Sequence, residues 1–517
     1  MGAYKPPTSS YMESNTDYTD AYFNTYNIVV MATDNGDGTY SISPSADGLI
    51  QKLELCERKG LKALIQLHTN ITGQYVWNSN EKVSLLGRNY NVFEDVYSGI
   101  DFTKYPALKG FFIADEPSWR QLELFDRVYV PWFNDNYANT DLEFYVNLFG
   151  GYSSGIGPMD YFGNINYDDF GYDANGDGDY TDDGEFYYTY PGSGTKYYGN
   201  GTAEAKEKLY NSYVELWVSV LKKVNTKNKY FTIDEYPLHD NQAGLINLTE
   251  EEKAAYINKG ALTEDKIFIL EQENGEWVAS VDGYSHFVRE NWLERTFIGA
   301  INAKDNGFNF GAYIQAHDEV GSTNNPETFR LPSTEAEIKW QAYMNIAFGA
   351  KRLIYYGYDW GKGGAYITLA KEQTNLYEFV KNTNAELDKV DNVFAAFDTW
   401  VGAKTFTPAN AEKCAAFELV AEMELSSLTG VSSVTTDREL LVGEMIDGNG
   451  NHGYMLVGYD DPLNGKTTNV SITFDGADGF IIYRGGERAL SADDLGGTLS
   501  LTLNAGEGVF VIPVYAN

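Results

Sequence analysis

The stretch FFIADEPSW, residues 111–119, runs an apolar segment straight into two adjacent carboxylates, Asp115 and Glu116, followed by a proline and an aromatic. A carboxyl set against apolar walls keeps its proton to higher pH and can give it up near neutrality. Glu116, where Pro117 fixes the exit of the chain, is the first candidate for a general acid/base. A helix cap or a surface acid is the plainer role for the same residue. A second acidic pair, Asp234 and Glu235, closes the run YFTIDEYP, residues 230–237. Asp234 is expected to bind a ligand there or to bond a neighbouring strand end.

Both pairs need elements that carry them. Short apolar runs at 26–33, 61–68, 108–117, 142–150, 229–237, 309–317 and 353–360 read as strands, with MGAY (1–4) as an eighth at the front. Helical patterns separate them. Residues 47–60 place Leu49, Leu53 and Cys56 on one face and stop at Gly60. Residues 203–224 and 286–307 are longer helices, 334–352 opens with the capping-box pattern of Thr334 and Glu337, and 376–394 closes the series. A helix is also expected within 93–107. Near-continuous apolar strands alternating with helices predict a parallel sheet covered by helices, and eight of them a (β/α)8 barrel over residues 1–398. A doubly wound open sheet would be the alternative, but no GxGxxG or P-loop pattern follows any strand. Insertions are expected at 151–201 and 238–285. From 399 to 517 short alternating strands separated by Gly, Asn and Asp turns predict a C-terminal antiparallel β-sandwich.

In a barrel of this kind the C-terminal strand ends line the site. Those ends hold Lys5, Thr33 and Asp34, His68 and Asn70, Asp115 and Glu116, Asn147, Asp234 and Glu235, Gln315 with His317, and Tyr358 to Trp360. The set is polar, acidic and aromatic, with no phosphate cradle and no His-rich triad. Carboxylates beside flat aromatic faces suit a neutral sugar. Trp360 with Tyr358 is the expected stacking platform, with Trp119 at the mouth. His68 and His317 are candidates for hydroxyl contacts, or for packing.

The strand order and the fourth-strand acid resemble the large clan of (β/α)8 glycoside hydrolases. RLPSTEAEIKWQAYMNIAFGAKRLIYYGYDW (330–360) is similar to the helix and last strand of family-42-type barrels. That resemblance implies a retaining glycosidase with a nucleophilic Glu ending the seventh strand. Here that position is Gln315, and Glu319 lies four residues later. The Asp-Glu pair resembles hexosaminidases of families 20 and 123, which use the substrate's own 2-acetamido oxygen as nucleophile. Carried over, Asp115 would orient that amide, Glu116 would protonate the leaving group, and Tyr236 or Tyr313 would position the amide. A two-carboxylate site using Glu319 or Asp234 remains open. So does a glycan-binding barrel without activity, and so does an adhesion module stiffened by calcium.

DANGDGDYTDDGE (173–185) spaces Asp173, Asn175 and Asp177 two apart, with Gly178 next and Asp179 in the seventh place. This matches the start of a calcium loop. Glu185 falls one residue late for an EF-hand, so a structural Ca2+ loop is expected from Asp173, Asn175, Asp177, Asp179 and Glu185, with Asp182 and Asp183 as further donors. A solvated acidic turn is the alternative. No organic cofactor is expected.

The bulk composition agrees. The 517 residues carry a formal net charge of −36, which disfavours nucleic acid and anionic membranes as partners. No apolar run is long enough to cross a bilayer, and the two cysteines, Cys56 and Cys414, form no disulfide framework. Forty tyrosines suit wet binding surfaces as well as an aromatic core. A secreted or cell-surface bacterial protein is expected, with its leader absent from this sequence and with an oligosaccharide or polysaccharide as partner. The oligomeric state is left open.

Overall fold

A computed structural model describes residues 1–4, 6–35, 39–68, 71, 75–78, 81–84, 91–117, 119–148, 169–172, 186–189, 203–238, 270–273, 276–279, 281–317, 331–358, 372–406, 428–459, 462–492 and 497–515. Eight strands form the parallel sheet: β1 Gly2–Tyr4, β2 Thr25–Asp34, β3 Lys62–Leu67, β4 Leu108–Asp115, β5 Glu143–Leu148, β6 Tyr230–Ile233, β7 Asn309–Ile314 and β8 Ala350–Tyr356. Their hydrogen-bonded order is β1-β8-β7-β6-β5-β4-β3-β2, and a β1–β2 pairing closes it into a (β/α)8 barrel. Residues Tyr40–Ser43 add an antiparallel edge on β2. All eight strands fall where apolar runs predicted them.

The helices are α1 Ala46–Arg58, α2 Val130–Tyr137, α3 Ala203–Lys223, α4 Val281–Asp305, α5 Glu335–Ala347 and α6 Asn375–Asp388, with shorter turns between. Three sequence expectations change. The helix expected within 93–107 is a single turn, Val92–Asp95, capped by Asn91, and a 3-10 turn, Phe102–Lys104, capped by Asp101. The helical segment Trp119–Leu124, a π turn at Phe125–Tyr129 and then α2 follow β4, although no helix was expected there. Pro131, which has no N–H to give, stands in the first turn of α2, so the apolar spacing slips where a regular period would be read. Finally, α5 ends at Ala347 rather than 352, because Gly349 takes a left-handed φ of +79° and β8 begins at Ala350.

By its contacts the chain divides into two compact units: residues 24–235 with 305–309, and residues 1–23, 236–304 and 310–517. In the first, β4 and β5 each present one face to helices. Phe111 packs edge-on against Phe93, Phe102, Trp132 and Phe133, with ring centroids 5.0–6.1 Å apart. Phe144 meets Phe133 at 5.4 Å. The alternate residues turn the other way, where Phe112 stacks on Tyr145 at 4.6 Å. This period of two puts Asn147, two residues beyond Tyr145, on the face away from the helices.

The second unit contains the C-terminal strands. A six-stranded sheet is built from β9 Thr399–Phe406, β11 Leu440–Ile446, β12 His452–Gly458, β14 Gly479–Arg484, β15 Glu487–Ala492 and β17 Gly508–Val514. A three-stranded sheet holds β10 Val431–Thr436, β13 Thr468–Phe474 and β16 Thr498–Leu503. Both sheets give side chains to one core, among them Leu456, Phe480 and Val511 from the first and Ile472, Phe474 and Leu503 from the second. This is the expected antiparallel β-sandwich. The edge strands β9, β10 and β15 lacked strong alternation and were not expected, and AAFELVAEMEL (415–425) lies outside the described residues.

Helix α5 docks on the sandwich through glycines. A Cβ on Gly443 would sit 1.8 Å from the Ala347 carbonyl oxygen, and one on Gly508 would sit 2.3 Å from the Tyr343 ring. Trp400 seals the contact, its Nε1 donating to Ala347 O at 2.9 Å. The expected capping box at the other end of α5 is present, with Thr334 Oγ1 accepting from Glu337 N–H and Glu337 Oε2 accepting from Thr334 N–H.

Candidate active site

The ends of β4, β5 and β6 meet in an acidic cluster within the first unit. Asp115 is the last residue of β4 and is half-buried, as is Glu116. Asn147 in β5 is fully buried, while Asp234 and Glu235, just past β6, are 3% and 8% exposed. Parallel register brings them level: Asp115 pairs with Asn147, and Asn147 pairs with Thr232. The Asn147 side-chain amide donates to Asp115 Oδ1 at 2.9 Å and to Asp234 Oδ2 at 3.0 Å. Asp234 thus bonds a neighbouring strand end, one of the two roles expected of it.

Glu116 has φ +46°. A non-glycine residue in the left-handed region is uncommon, and such strain, of order 1–3 kcal/mol, collects at ligand sites. The backbone N–H of Glu116 donates to Asn147 O at 2.8 Å, which ties the kinked residue to β5. Beneath Asp115, Tyr145 is fully buried. Burial first, then the charges of Asp115 and Tyr230, push its phenol well above the usual range, so it stays neutral. His68 is half-buried past the end of β3, its backbone N–H donating to Val30 O at 2.8 Å. The cluster can hold ligand hydroxyl or amide donors and can stabilise positive charge that develops beside it.

Within the second unit, Tyr236 and His317 are buried, with ring centroids 4.8 Å apart, and Tyr356 lies 4.2 Å from His317. Tyr4 stacks on Tyr356 at 5.0 Å and meets Tyr313 at 6.4 Å. Two expected ligand contacts acquire other tasks. Gln315 is wholly buried; its Oε1 accepts from Leu238 N–H at 2.8 Å and its Nε2 donates to Leu238 O at 2.7 Å. Both ends of that amide are therefore committed to backbone. Tyr358, expected as a stacking platform, is also wholly buried, edge-on to Tyr18 at 5.2 Å and Phe23 at 5.8 Å, and presents no face to a ligand.

Glu319, Trp360, Lys5, Asn70 and the whole loop of Asp173, Asn175, Asp177, Asp179, Asp182, Asp183 and Glu185 lie outside the described residues. Among the described residues no three His, Cys, Asp or Glu side chains gather as a metal site, and no helix is long and apolar enough to cross a membrane. The bridging role of Asn147 was not foreseen. Its only sequence signal is a polar residue near the end of the run LEFYVNLFG, which also holds Glu143.

No protein-family model matches the chain, and no curated protein matches it. Solved structures similar to it include the following three. One is an α-amylase from Anoxybacillus, 8% identical, covering 100% of this chain and 92% of that one at TM-score 0.37. Another is a β-galactosidase from the haloarchaeon Halorubrum lacusprofundi, 10% identical, covering 99% and 98% at TM-score 0.35. The third is an α-galactosidase from Saccharomyces cerevisiae, 8% identical, covering 98% and 92% at TM-score 0.36.

Proposed function

We propose that this chain is a secreted or cell-surface glycoside hydrolase acting on a neutral or N-acetylated glycan. Glu116 is its general acid/base and Asp115 its substrate-orienting carboxylate. The observation that carries the reading is the strained Glu116 beside Asp115 at the C-terminal end of β4, held to the end of β5 by backbone and side chain alike. In the substrate-assisted form, the 2-acetamido oxygen attacks the anomeric carbon as the glycosidic bond breaks, and Glu116 gives its proton to the leaving oxygen. Water then opens the cyclic intermediate and Glu116 recovers the proton. Asp115 holds the acetamido N–H and balances the positive charge that forms on the ring. The commitment of Gln315 to Leu238 favours a mechanism without a seventh-strand nucleophile. It equally favours a second reading, a glycan-binding barrel without turnover.

The test is hydrolysis of paired aryl glycosides, galactoside and glucoside against their N-acetylamino counterparts, by wild type, Asp115→Asn and Glu116→Gln. Turnover confined to N-acetyl sugars and lost in both variants is expected. Turnover of plain hexosides would move the second chemical group to Glu319 or Asp234. No turnover, with binding on a glycan array, would establish the second reading. The calcium loop at 173–185 is part of the proposal on its residue spacing alone.

A further inference from the structure

One nitrogen of Asn147 serves two carboxylates, Asp115 Oδ1 at 2.9 Å and Asp234 Oδ2 at 3.0 Å. An amide nitrogen donates and does not accept, and turning the amide over would set its oxygen against both carboxylates. Asn147 Oδ1 is buried and has no hydrogen-bond partner among the described residues, so among these the two carboxylates orient the group. Two acceptors on one planar nitrogen at these distances lie about 5 Å apart, with the amide filling the gap. The amide thus fixes how far apart the two carboxylates stand.

We propose that Asn147 is a positioning residue for the reaction. It locks Asp115 and Asp234 into one anionic unit, making Asp234 the electrostatic partner of Asp115. The proposal rests on the reading of Asp115 and Glu116 given above. Asn147 touches no reacting atom; it aims Asp115 and keeps a second negative charge behind it, where positive charge develops as the glycosidic bond breaks.

Three variants assayed for activity, and one spectrum compared across two more, test this. Asn147→Leu removes the donor without adding charge, and misaiming Asp115 should lower kcat about 100-fold with KM nearly unchanged. Thr232→Val, which removes a buried hydroxyl at the register partner of Asn147, serves as the packing control and should leave kcat close to wild type. Asn147→Asp should be poorly active at neutral pH and recover as pH falls, because only a protonated carboxyl can donate to a neighbour. Among the described residues, the titratable groups on the neighbouring strand ends are Asp115 and, just after β4, Glu116, Tyr145 on β5, and Asp234 and Glu235 after β6. Equal losses in Asn147→Leu and Thr232→Val, or an Asn147→Asp profile parallel to wild type, would overturn the role.

The spectrum separates this from failure of the functional reading. In protein labelled with 15N-asparagine, both Asn147 Nδ2 protons should exchange slowly. Asp115→Ala should release one and Asp234→Ala the other. If wild type turns over no glycoside, the functional reading falls and the catalytic role with it. The lock itself then stands on those two releases, and unchanged exchange in both variants would refute it.

Discussion

Gln315 stands where the resemblance implies a nucleophile, and replacing it separates an architectural role from a lost catalytic one. Its side chain satisfies both polar backbone groups of Leu238, which is itself 3% exposed, while its own backbone N–H donates to Gln341 Oε1 at 2.7 Å. Gln315→Leu leaves a buried N–H and a buried C=O without partners. At about 1–3 kcal/mol for each abandoned group, the loss is about 4 kcal/mol. A chain of this length has an unfolding entropy near 1 kcal/mol/K, so Tm should fall by about 4 °C. Gln315→Glu is the more discriminating variant. Its carboxyl can accept from Leu238 N–H at any pH, but it can donate to Leu238 O only when protonated. The folded state therefore raises the pKa of that carboxyl above its unfolded value of about 4.3. With the folded value raised, the variant matches wild type below the unfolded pKa, and its penalty grows as pH rises above it. Thermal melts followed by circular dichroism at pH 4 and pH 7 read the effect as the wild-type-minus-variant difference at each pH. No gain in glycoside turnover accompanies it. A Gln315→Leu Tm within 1 °C of wild type, or a Gln315→Glu difference independent of pH, would refute the clamp.

Gly443→Ala should lower Tm by several degrees, because its Cβ would lie 1.8 Å from the Ala347 carbonyl and such overpacking costs about 1–3 kcal/mol or more; Gly448→Ala, with open space around it, should melt like wild type. Lys351 donates to Phe394 O at 3.1 Å and Phe397 O at 2.8 Å, and burial holds its ammonium down to about 8. The unfolded chain keeps that proton to about pH 10.4, so Lys351 adds stability as pH rises from 8 towards 10, by up to about 3 kcal/mol. Denaturation midpoints of Lys351→Met should lack that rise when measured against wild type across the range. If 173–185 binds calcium, titration calorimetry on chelator-treated protein should show one saturable site that Asp173→Ala with Asp177→Ala abolishes, and an undiminished heat in that variant would refute the assignment.

The eight barrel strands were legible in the sequence because a strand covered on both faces must be apolar along its length, whatever it packs against. The helix cap at Thr334 and Glu337 was legible because it is made by residues three apart. Glu116 could be picked out because a charge that ends a buried strand is local information. Its left-handed backbone could not be, since φ there is imposed by the bond from its N–H to Asn147 O across the sheet. Asn147, Asp115 and Asp234 lie far apart in the chain, and only parallel register makes them neighbours. Register likewise turned Gln315 from a candidate ligand into a backbone clamp. Tyr358 reads as a platform because it is aromatic at a strand end, but burial depends on what folds over it, and Tyr18 and Phe23 come from the opposite end of the chain. The sequence by itself determined the eight barrel strands, the helices near 46–58, 203–223, 281–305, 335–347 and 375–388, and where carboxylates cluster along the chain, because hydrophobic period and short-range capping act over a few residues. Tertiary structure alone decided which polar groups face one another, because hydrogen bonds between strand ends depend on register and not on spacing.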